Sequence, residues 1–372
     1  MLCRQLGRTG LRVSQLGFGA MRLPMVGEGE KAQVNRELAV PMIRRAFDLG
    51  VNYIDSAVFY CNADSQRAVG EALKGYRDRV IVSTKNHYFD EDEKAWWKNL
   101  EESLERLQVP YLDVYHHHGI QWKTYVEKIE PRVGHWMRKA VDQGLVKHIA
   151  CSFHDNNEAL MKLVDSGYAE VITLQYNMLD RQLEEGIAHA HSKGVGVVVM
   201  GPVAGGRLGV ESEVLANLLP GTGVRRVPGL ALKFVLANPG VTVALSGMGT
   251  MAMVEENVQA ASDPQTLSPE DRQAIGAHLE RLKAMADLYC TGCGYCKPCP
   301  NKVNIPAVFQ QYNLGRVYGL WEHARNRYRG MIQRSVAGDQ CIQCGECEPK
   351  CPQKLEIRAQ LTEAHAALSQ GG

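Results

Sequence analysis

No stretch of this chain stays apolar long enough to cross a membrane, and its opening residues, MLCRQLGRTGLRVSQLGFG, lack the hydrophobic run of a signal peptide or anchor. A cytoplasmic location is the expectation. Excess charge of either sign is also missing: 42 Lys and Arg stand against 41 Asp and Glu. Such a balance offers no broad basic face for nucleic acid or for an anionic membrane. Low-complexity tracts, short repeats and a long Gly/Ser linker are absent too, so a second domain is expected to be docked rather than loosely tethered. Cysteine is nearly absent from the first 289 residues, where only Cys3, Cys61 and Cys151 occur. The other eight of the eleven fall between Cys290 and Cys351 in two tight groups. Secreted disulfide scaffolds are short, and this chain has 372 residues, so the clustered thiols point to metal.

What is present is a repeated alternation. Short β-branched runs predict eight strands: LGFG (from Leu16), VNYID (Val51), RVIVSTK (Arg79), YLDVYHH (Tyr111), VKHIACS (Val146), EVITLQY (Glu170), VGVVVMG (Val195) and VTVALSG (Val241). Between them lie amphipathic segments such as VNRELAVPMIRRAFDLG and DEKAWWKNLEESLERL, with apolar residues three and four apart. Eight strand–helix units predict an α/β fold with parallel strands, a (β/α)8 TIM barrel. The preceding CRQLGRTGLRVSQ reads as a hairpin around Thr9-Gly10, placed to cap the barrel's bottom. A helix is expected from Ser268, its N-cap, with Pro269 in the first turn. The expected division is 1–285 for the barrel and 286–372 for a C-terminal α-helical iron–sulfur domain. Residues 308–331, VFQQYNLGRVYGLWEHARNRYRGM, are expected to form one helix.

The first cysteine group is Cys290, Cys293, Cys296 and Cys299, followed by Pro300; the second is Cys341, Cys344, Cys347 and Cys351, followed by Pro352. C-x2-C-x2-C lets one loop wrap three corners of a cubane. Two structural zinc sites are the alternative, but zinc ribbons use two cysteines per knuckle rather than four in a row. The second group matches the C-x2-C-x2-C-x3-C-P run of bacterial two-cluster ferredoxins, and the first is one residue shorter before its last cysteine. That resemblance implies two [4Fe–4S] clusters with crossed ligation. One takes Cys290, Cys293, Cys296 and Cys351; the other takes Cys341, Cys344, Cys347 and Cys299.

In the barrel, four residues stand at or just past predicted strand ends, on the face where such barrels keep their active sites. They are Asp55, Tyr60, Lys85 and His118. Hydride delivered to a carbonyl leaves an alkoxide that needs a proton. An unperturbed tyrosine, of pKa about 10, is a poor acid, and a nearby ammonium is expected to lower that value. Lys85 would supply the ammonium, Asp55 would hold it, and a His118 N–H would fix the carbonyl oxygen. His116 shares a strand face with His118, and a metal site with His87 or His154 is a weaker reading. Trp96 and Trp97 read as helix packing and Cys61 as a small filler.

The D-x4-Y motif, the strand ending in Lys and Y-L-D-x-Y-x-x-H resemble the aldo/keto reductase tetrad. LGFGAMRLP and LSGMGTMAMVEENV reinforce the likeness over residues 1–262. The resemblance, to a branch with a ferredoxin-like tail, implies NAD(P)H as cofactor. Ser152 and Gln175 match the family's carboxamide contacts, with Phe153 where the family has Asn. Met200 stands at the position that stacks on the nicotinamide. Gly201, Pro202, Gly205, Gly206 and Arg207 form the small-residue loop for the pyrophosphate. Gly247, Glu256 and Asn257 fall at the adenosine end. The basic residues that clamp a 2′-phosphate are missing from SGMGTMAMVEEN, which argues against a preference for NADP.

Three functions follow as alternatives. The first is a carbonyl/alcohol oxidoreductase using NAD(P)H, whose clusters relay electrons. The second is a ferredoxin-dependent one-electron reductase without nicotinamide, and the third an electron-transfer protein with a relic barrel. Expected partners are a small carbonyl or alcohol substrate and a ferredoxin or flavodoxin electron partner.

Overall fold

The structure is a computed structural model. It describes every residue except 88, 90, 91, 210, 211, 219–223, 225, 266, 288, 289, 291–293, 295, 352–354, 371 and 372, and gives backbone only for 207 and 283–287. The chain forms two compact units: Met1–Gly205 with Ala231–Ser268, and Gly206–Leu230 with Pro269–Gly372. No helix among the described residues is long and apolar enough to cross a membrane.

Twelve strands occur in chain order among the described residues: β1 (Cys3–Gln5), β2 (Arg12–Ser14), β3 (Leu16–Gly19), β4 (Met25–Val26), β5 (Gln33–Val34), β6 (Tyr53–Asp55), β7 (Ile81–Asn86), β8 (Leu112–Ile120), β9 (Val146–Phe153), β10 (Val171–Gln175), β11 (Gly196–Met200) and β12 (Val243–Ser246). Eight of them close a parallel barrel in the order β3, β6, β7, β8, β9, β10, β11, β12 and back to β3. All eight expected barrel strands are there. Their near-continuous β-branched runs reflect burial on both faces, interior and helix layer. Strands β1 and β2 pair antiparallel, as the hairpin reading required. Leu6, between them, and Val13 of β2 join Tyr53, Val114, Ala150, Val171, Val198 and Val243 in one fully buried cluster. Because Tyr53 and Val171 open their strands, the hairpin plugs the N-terminal end and leaves the C-terminal end for chemistry.

Two helices show why the outer layer forms where it does. In Arg36–Asp48 the Asn35 side chain accepts the Leu38 N–H, and Ala39, Met42, Ile43 and Ala46 face inward at three- and four-residue spacing. In Glu93–Leu107 Asp92 caps Ala95, Trp96 and Leu100 are fully buried, and Gln108 ends the helix in a left-handed conformation.

The second unit is built on the helices Pro269–Asp287, Ile305–Tyr318, Trp321–Gln333 and Ile357–Ser369. The segment expected as one helix is therefore two. Gly319, at φ +67, caps the first, and the chain reverses so that the Trp321 ring lies against Gly315, whose Cα has room for no side chain. Tyr328 is fully buried and ties the bundle, with its hydroxyl 2.8 Å from His365 Nδ1 and accepting the Gly338 N–H at 3.0 Å. Ser212 Oγ donates to the Tyr318 carbonyl at 2.6 Å, which brings the segment Gly206–Leu230 into this unit.

Candidate active site and cluster site

Strand ends bring Asp55, Lys85 and His118 to one place. Asp55 closes β6 and pairs in register with Ser83 of β7, which puts Lys85 one pleat further on the same face. Lys85 Nζ donates to Asp55 Oδ2 at 2.5 Å and to the Ser56 carbonyl at 2.9 Å, and Ser83 Oγ donates to Asp55 Oδ1 at 2.8 Å. Lys85 is 2% exposed and Asp55 4%. Burial alone would push the Lys85 pKa down, but the Asp55 carboxylate and Tyr60 outweigh it and hold it above its usual value. The ammonium is thereby locked in place.

Tyr60 lies beside it, with Lys85 Nζ 5.2 Å from the ring centroid. Here the expectation of a lowered pKa needs correcting. Burial raises the phenol more than the Lys85 ammonium lowers it, and Asp55 adds to the rise. At rest Tyr60 is a protonated phenol. That is the state a proton donor requires.

Past Tyr60 the backbone is strained. Cys61, Asn62 and Ala63 all take left-handed φ values, +53, +54 and +63. Each such non-glycine residue costs roughly 1–2 kcal/mol. Side chains hold the turn. Asn62 Nδ2 donates to the carbonyls of Gly29 (3.0 Å) and Ala32 (2.9 Å). Asp64 takes both Arg36 terminal nitrogens at 2.7 Å and the Val34 N–H at 2.9 Å. Strain kept by surrounding bonds is common at functional sites. Burial pushes the Cys61 thiol up, which disfavours a thiolate there.

His118 completes the group. The Phe59 ring stacks on it at 4.9 Å with a 4° interplanar angle, and Tyr60 meets it edge-on at 6.0 Å. Burial, helped by the Lys85 charge, pushes its pKa down to about 3, so it works as a neutral imidazole. His116, by contrast, is a core residue, with Nε2 2.9 Å from Thr173 Oγ1 and Nδ1 near Ser83 and Thr84. His117 Nε2 lies 2.7 Å from the Tyr168 hydroxyl. Among the described residues no three His, Cys, Asp or Glu side chains converge as one metal ion requires, so the histidine metal site does not form. Trp96, fully buried against Trp97 and Tyr115, is helix packing as expected.

The residues expected to hold a nicotinamide also gather at strand ends. Ser152 pairs with Thr173, and Gln175 with Met200, which pairs in turn with Leu245. Ser152 is buried, its Oγ 3.4 Å from His154 Nε2. Gly201, at φ +65, lies so close to Gln175 that a Cβ there would stand 2.9 Å from Oε1; its carbonyl accepts from Asn177 Nδ2 at 3.1 Å. The Gln175 side chain thus fills the space that a side chain at 201 would take. Pro202 is buried and Gly205 is exposed, with φ +66. Gly206 and Arg207 belong to the second unit, and the Arg207 side chain lies outside the described residues. Asn257 donates to Ser246 Oγ at 3.0 Å and so braces the loop at Gly247, while Glu256 is half-buried on the same helix. The neighbouring Glu255 is ion-paired with Arg45 at 3.0 Å.

Several residues of the site escaped the sequence reading. Ser83 was detectable, being two positions before Lys85 on the same strand face. Phe59 carried no signal beyond an aromatic beside Tyr60. Arg22, inside LGFGAMRLP, reaches both loops that the sequence reading gave to the cofactor. Its side chain passes 3.5–3.7 Å from a Cβ position at Gly247 and its Nη2 3.7 Å from one at Gly205. It makes no ion pair among the described residues.

In the second unit one cavity is lined by Cys296, Cys299, Cys341, Cys344 and Cys347. Cys296 and Cys299 of the first run thus share this hollow with three cysteines of the second. Among the described residues no three of these thiols group as ligands of a single metal ion. Asn301 Nδ2 donates to the Gln340 carbonyl at 2.8 Å and ties the two runs together. Cys344 is exposed, Cys290 and Cys351 are half-buried, and Cys293 lies outside the described residues.

Comparison with known proteins agrees with both halves. Residues 15–280 match the aldo/keto reductase family and residues 289–355 a 4Fe-4S dicluster domain. The chain is 30% identical over 308 residues to L-galactose dehydrogenase of Arabidopsis thaliana, covering 75% of this chain and 95% of that one. It is 24% identical over 332 residues to L-glyceraldehyde 3-phosphate reductase of Escherichia coli, covering 75% and 92%. Among solved structures, the holo form of an aldo-keto reductase from Bacillus halodurans superposes with a TM-score of 0.63 at 30% identity, over 76% of this chain and 96% of that one.

Proposed function

This chain belongs to the aldo/keto reductase family and carries a C-terminal 4Fe-4S dicluster domain, and we propose that it interconverts a carbonyl and an alcohol with Tyr60 as the proton donor. The observation that carries this reading is the buried Lys85–Asp55 pair beside Tyr60 and His118. A buried ion pair is a poor way to stabilise a fold. As an electrostatic device aimed at a developing phenolate it has a purpose, which also argues against a relic barrel.

The cofactors are assigned on the same footing. Ser152, Gln175, Met200 and Gly201 would hold a nicotinamide; Pro202, Gly205 and Arg22 would meet its pyrophosphate, and Gly247, Glu256 and Asn257 its adenosine end. A bound NAD(P)H supplies the hydride, and a [4Fe–4S] cluster exchanges single electrons. His118, as a neutral N–H donor, orients the carbonyl oxygen. Tyr60 gives that oxygen its proton in reduction and takes it back in oxidation. Lys85 steadies the phenolate while Asp55 and Ser83 hold Lys85. One cluster would be held by Cys299, Cys341, Cys344 and Cys347, the other by Cys290, Cys293, Cys296 and Cys351, with residues 286–372 as the cluster-bearing part.

Relatives named for L-galactose and L-glyceraldehyde 3-phosphate make sugar-derived carbonyls the first substrates to test. A second reading, ferredoxin-driven one-electron reduction without nicotinamide, draws on the missing 2′-phosphate clamp and on Glu255, which occupies Arg45. Anaerobic titration with NADH, NADPH and reduced ferredoxin, followed by cluster absorbance, separates the two. The test of the proton donor is Tyr60→Phe. Turnover should fall about 10²–10⁴-fold with the fold and iron content intact. Unchanged turnover would remove Tyr60 from the mechanism.

A further inference from the structure

The two cysteine runs are near copies of each other. Each places a glycine directly after its second cysteine, Gly294 and Gly345, and both glycines take the same backbone, with φ of +81 and +80. Their surroundings differ. A Cβ at Gly345 would stand 3.5 Å from Arg358 Cζ and 3.6 Å from two guanidinium nitrogens. At Gly294 no described atom comes within 4 Å. Arg358 also lines the cavity that holds Cys296, Cys299, Cys341, Cys344 and Cys347, as does Glu346.

The cation is held there by design of the local chain. Arg358 is the second residue of the helix Ile357–Ser369, and Glu348 sits one residue past Cys347. One Glu348 oxygen accepts the Arg358 backbone N–H at 3.0 Å; the other accepts Nη2 at 2.8 Å and Nε at 3.1 Å. Three bonds to one carboxylate fix where the guanidinium points, even though the arginine side chain is 45% exposed. A glycine at 345 is what lets it lie against the backbone between two cluster ligands.

We propose that Arg358 makes the two clusters electrically unequal, raising the reduction potential of the one at Cys299, Cys341, Cys344 and Cys347. The inference rests on the ligand sets proposed above. Reducing a cluster adds one negative charge, and a fixed cation beside it favours the reduced form. Glu348 anchors the cation and offsets part of its field. Electrons would then collect at the cluster whose Cys344 corner is exposed, where a carrier can reach it.

The experiment is an anaerobic redox titration of the full-length iron-loaded protein, read by electron paramagnetic resonance. The wild type should show two reduction waves. Arg358→Gln should move the upper wave down towards the lower one, and Arg358→Lys should largely keep it in place. Glu348→Gln, which leaves the cation uncompensated, should move the upper wave up. A merely bracing role makes a different forecast, because both neutral variants break the same ion pair and would shift the wave in the same direction. Shifts of the same sign, or waves that do not move, overturn the proposal. Should Arg358→Gln lose its cluster, Glu348→Gln decides alone: an upward shift supports the assignment and any other result ends it. A wild-type protein with fewer than two reducible clusters would instead overturn the ligand sets beneath it.

Discussion

Replacing Asp55 with Asn keeps the shape of the side chain and removes its charge. Lys85 would then be 2% exposed with two neutral acceptors, the Ser56 carbonyl and the new amide. An ammonium so placed has lost its counter-charge without regaining water. Breaking a buried ion pair from one side costs about 3–5 kcal/mol. In a unit of this size each kcal/mol moves the melting temperature by about 2–4 °C, so a fall of roughly 6–20 °C is expected. Tryptophan fluorescence is a suitable reporter, since Trp96, Trp97, Trp122 and Trp136 lie in the barrel unit and only Trp321 outside it. Anaerobic melting of Asp55→Asn, Lys85→Met and the double variant completes a cycle. Removing both charges leaves nothing to desolvate alone, so the double variant should lose clearly less than the two singles added together. If Asp55→Asn melted within a degree or two of wild type, or the losses simply added, the ion-pair argument would be wrong. So would the electrostatic role given to Lys85.

Three further outcomes follow. Anaerobically purified protein should be brown and carry about eight irons per chain, as two four-iron clusters require; colourless protein with stoichiometric zinc would refute the cluster reading. Stability should drop in mild acid. Unfolded histidines take a proton near 6.5, whereas burial pushes His117 and His118 down to about 3 and His116 well below its usual value. Their contribution is therefore whole above pH 6.5 and lost as pH falls towards 3, roughly 2 kcal/mol each for His117 and His118 by pH 5; urea midpoints that stay flat from pH 7 to 5 would contradict this. Finally, Cys344→Ser should leave the barrel folded and able to bind NAD(P)H while turnover with a one-electron carrier collapses. Full activity with that carrier would deny the clusters a relay role.

Much of this was legible in the sequence because it was written in short-range patterns. Each barrel strand is a buried β-branched run bounded by turn residues, and a period of that kind survives without tertiary information. The placement of Asp55, Lys85 and His118 together was legible because they sit at or near strand ends, where the chain direction alone assigns them to one face of the barrel. What escaped depends on distance in space rather than in sequence. Phe59 stacking on His118, Arg22 reaching Gly247 and Gly205, and Asn62 holding a left-handed turn are contacts made across loops. The insert's second helix was missed for a similar reason: an isolated glycine is tolerated inside helices, and only the Trp321 ring against Gly315 shows why this helix stops at Gly319. The raised Tyr60 pKa was missed because a sequence shows the neighbouring ammonium but not how much water the fold takes away.

The chain enters its second unit, leaves it and returns, since Gly206–Leu230 packs with Pro269–Gly372 while Ala231–Ser268, with β12, closes the barrel. On the ribosome this becomes a matter of timing. Residues 206–230 emerge well before the helix Ile305–Tyr318, whose last carbonyl takes the Ser212 hydroxyl. At about 5–20 residues per second the wait is roughly 5–20 s, long enough for the last barrel strand to be made and docked in between. The segment is therefore made well before the helix that its Ser212 hydroxyl bonds to. For the same reason a truncation after residue 285 would part residues 206–230 from most of the unit they pack with.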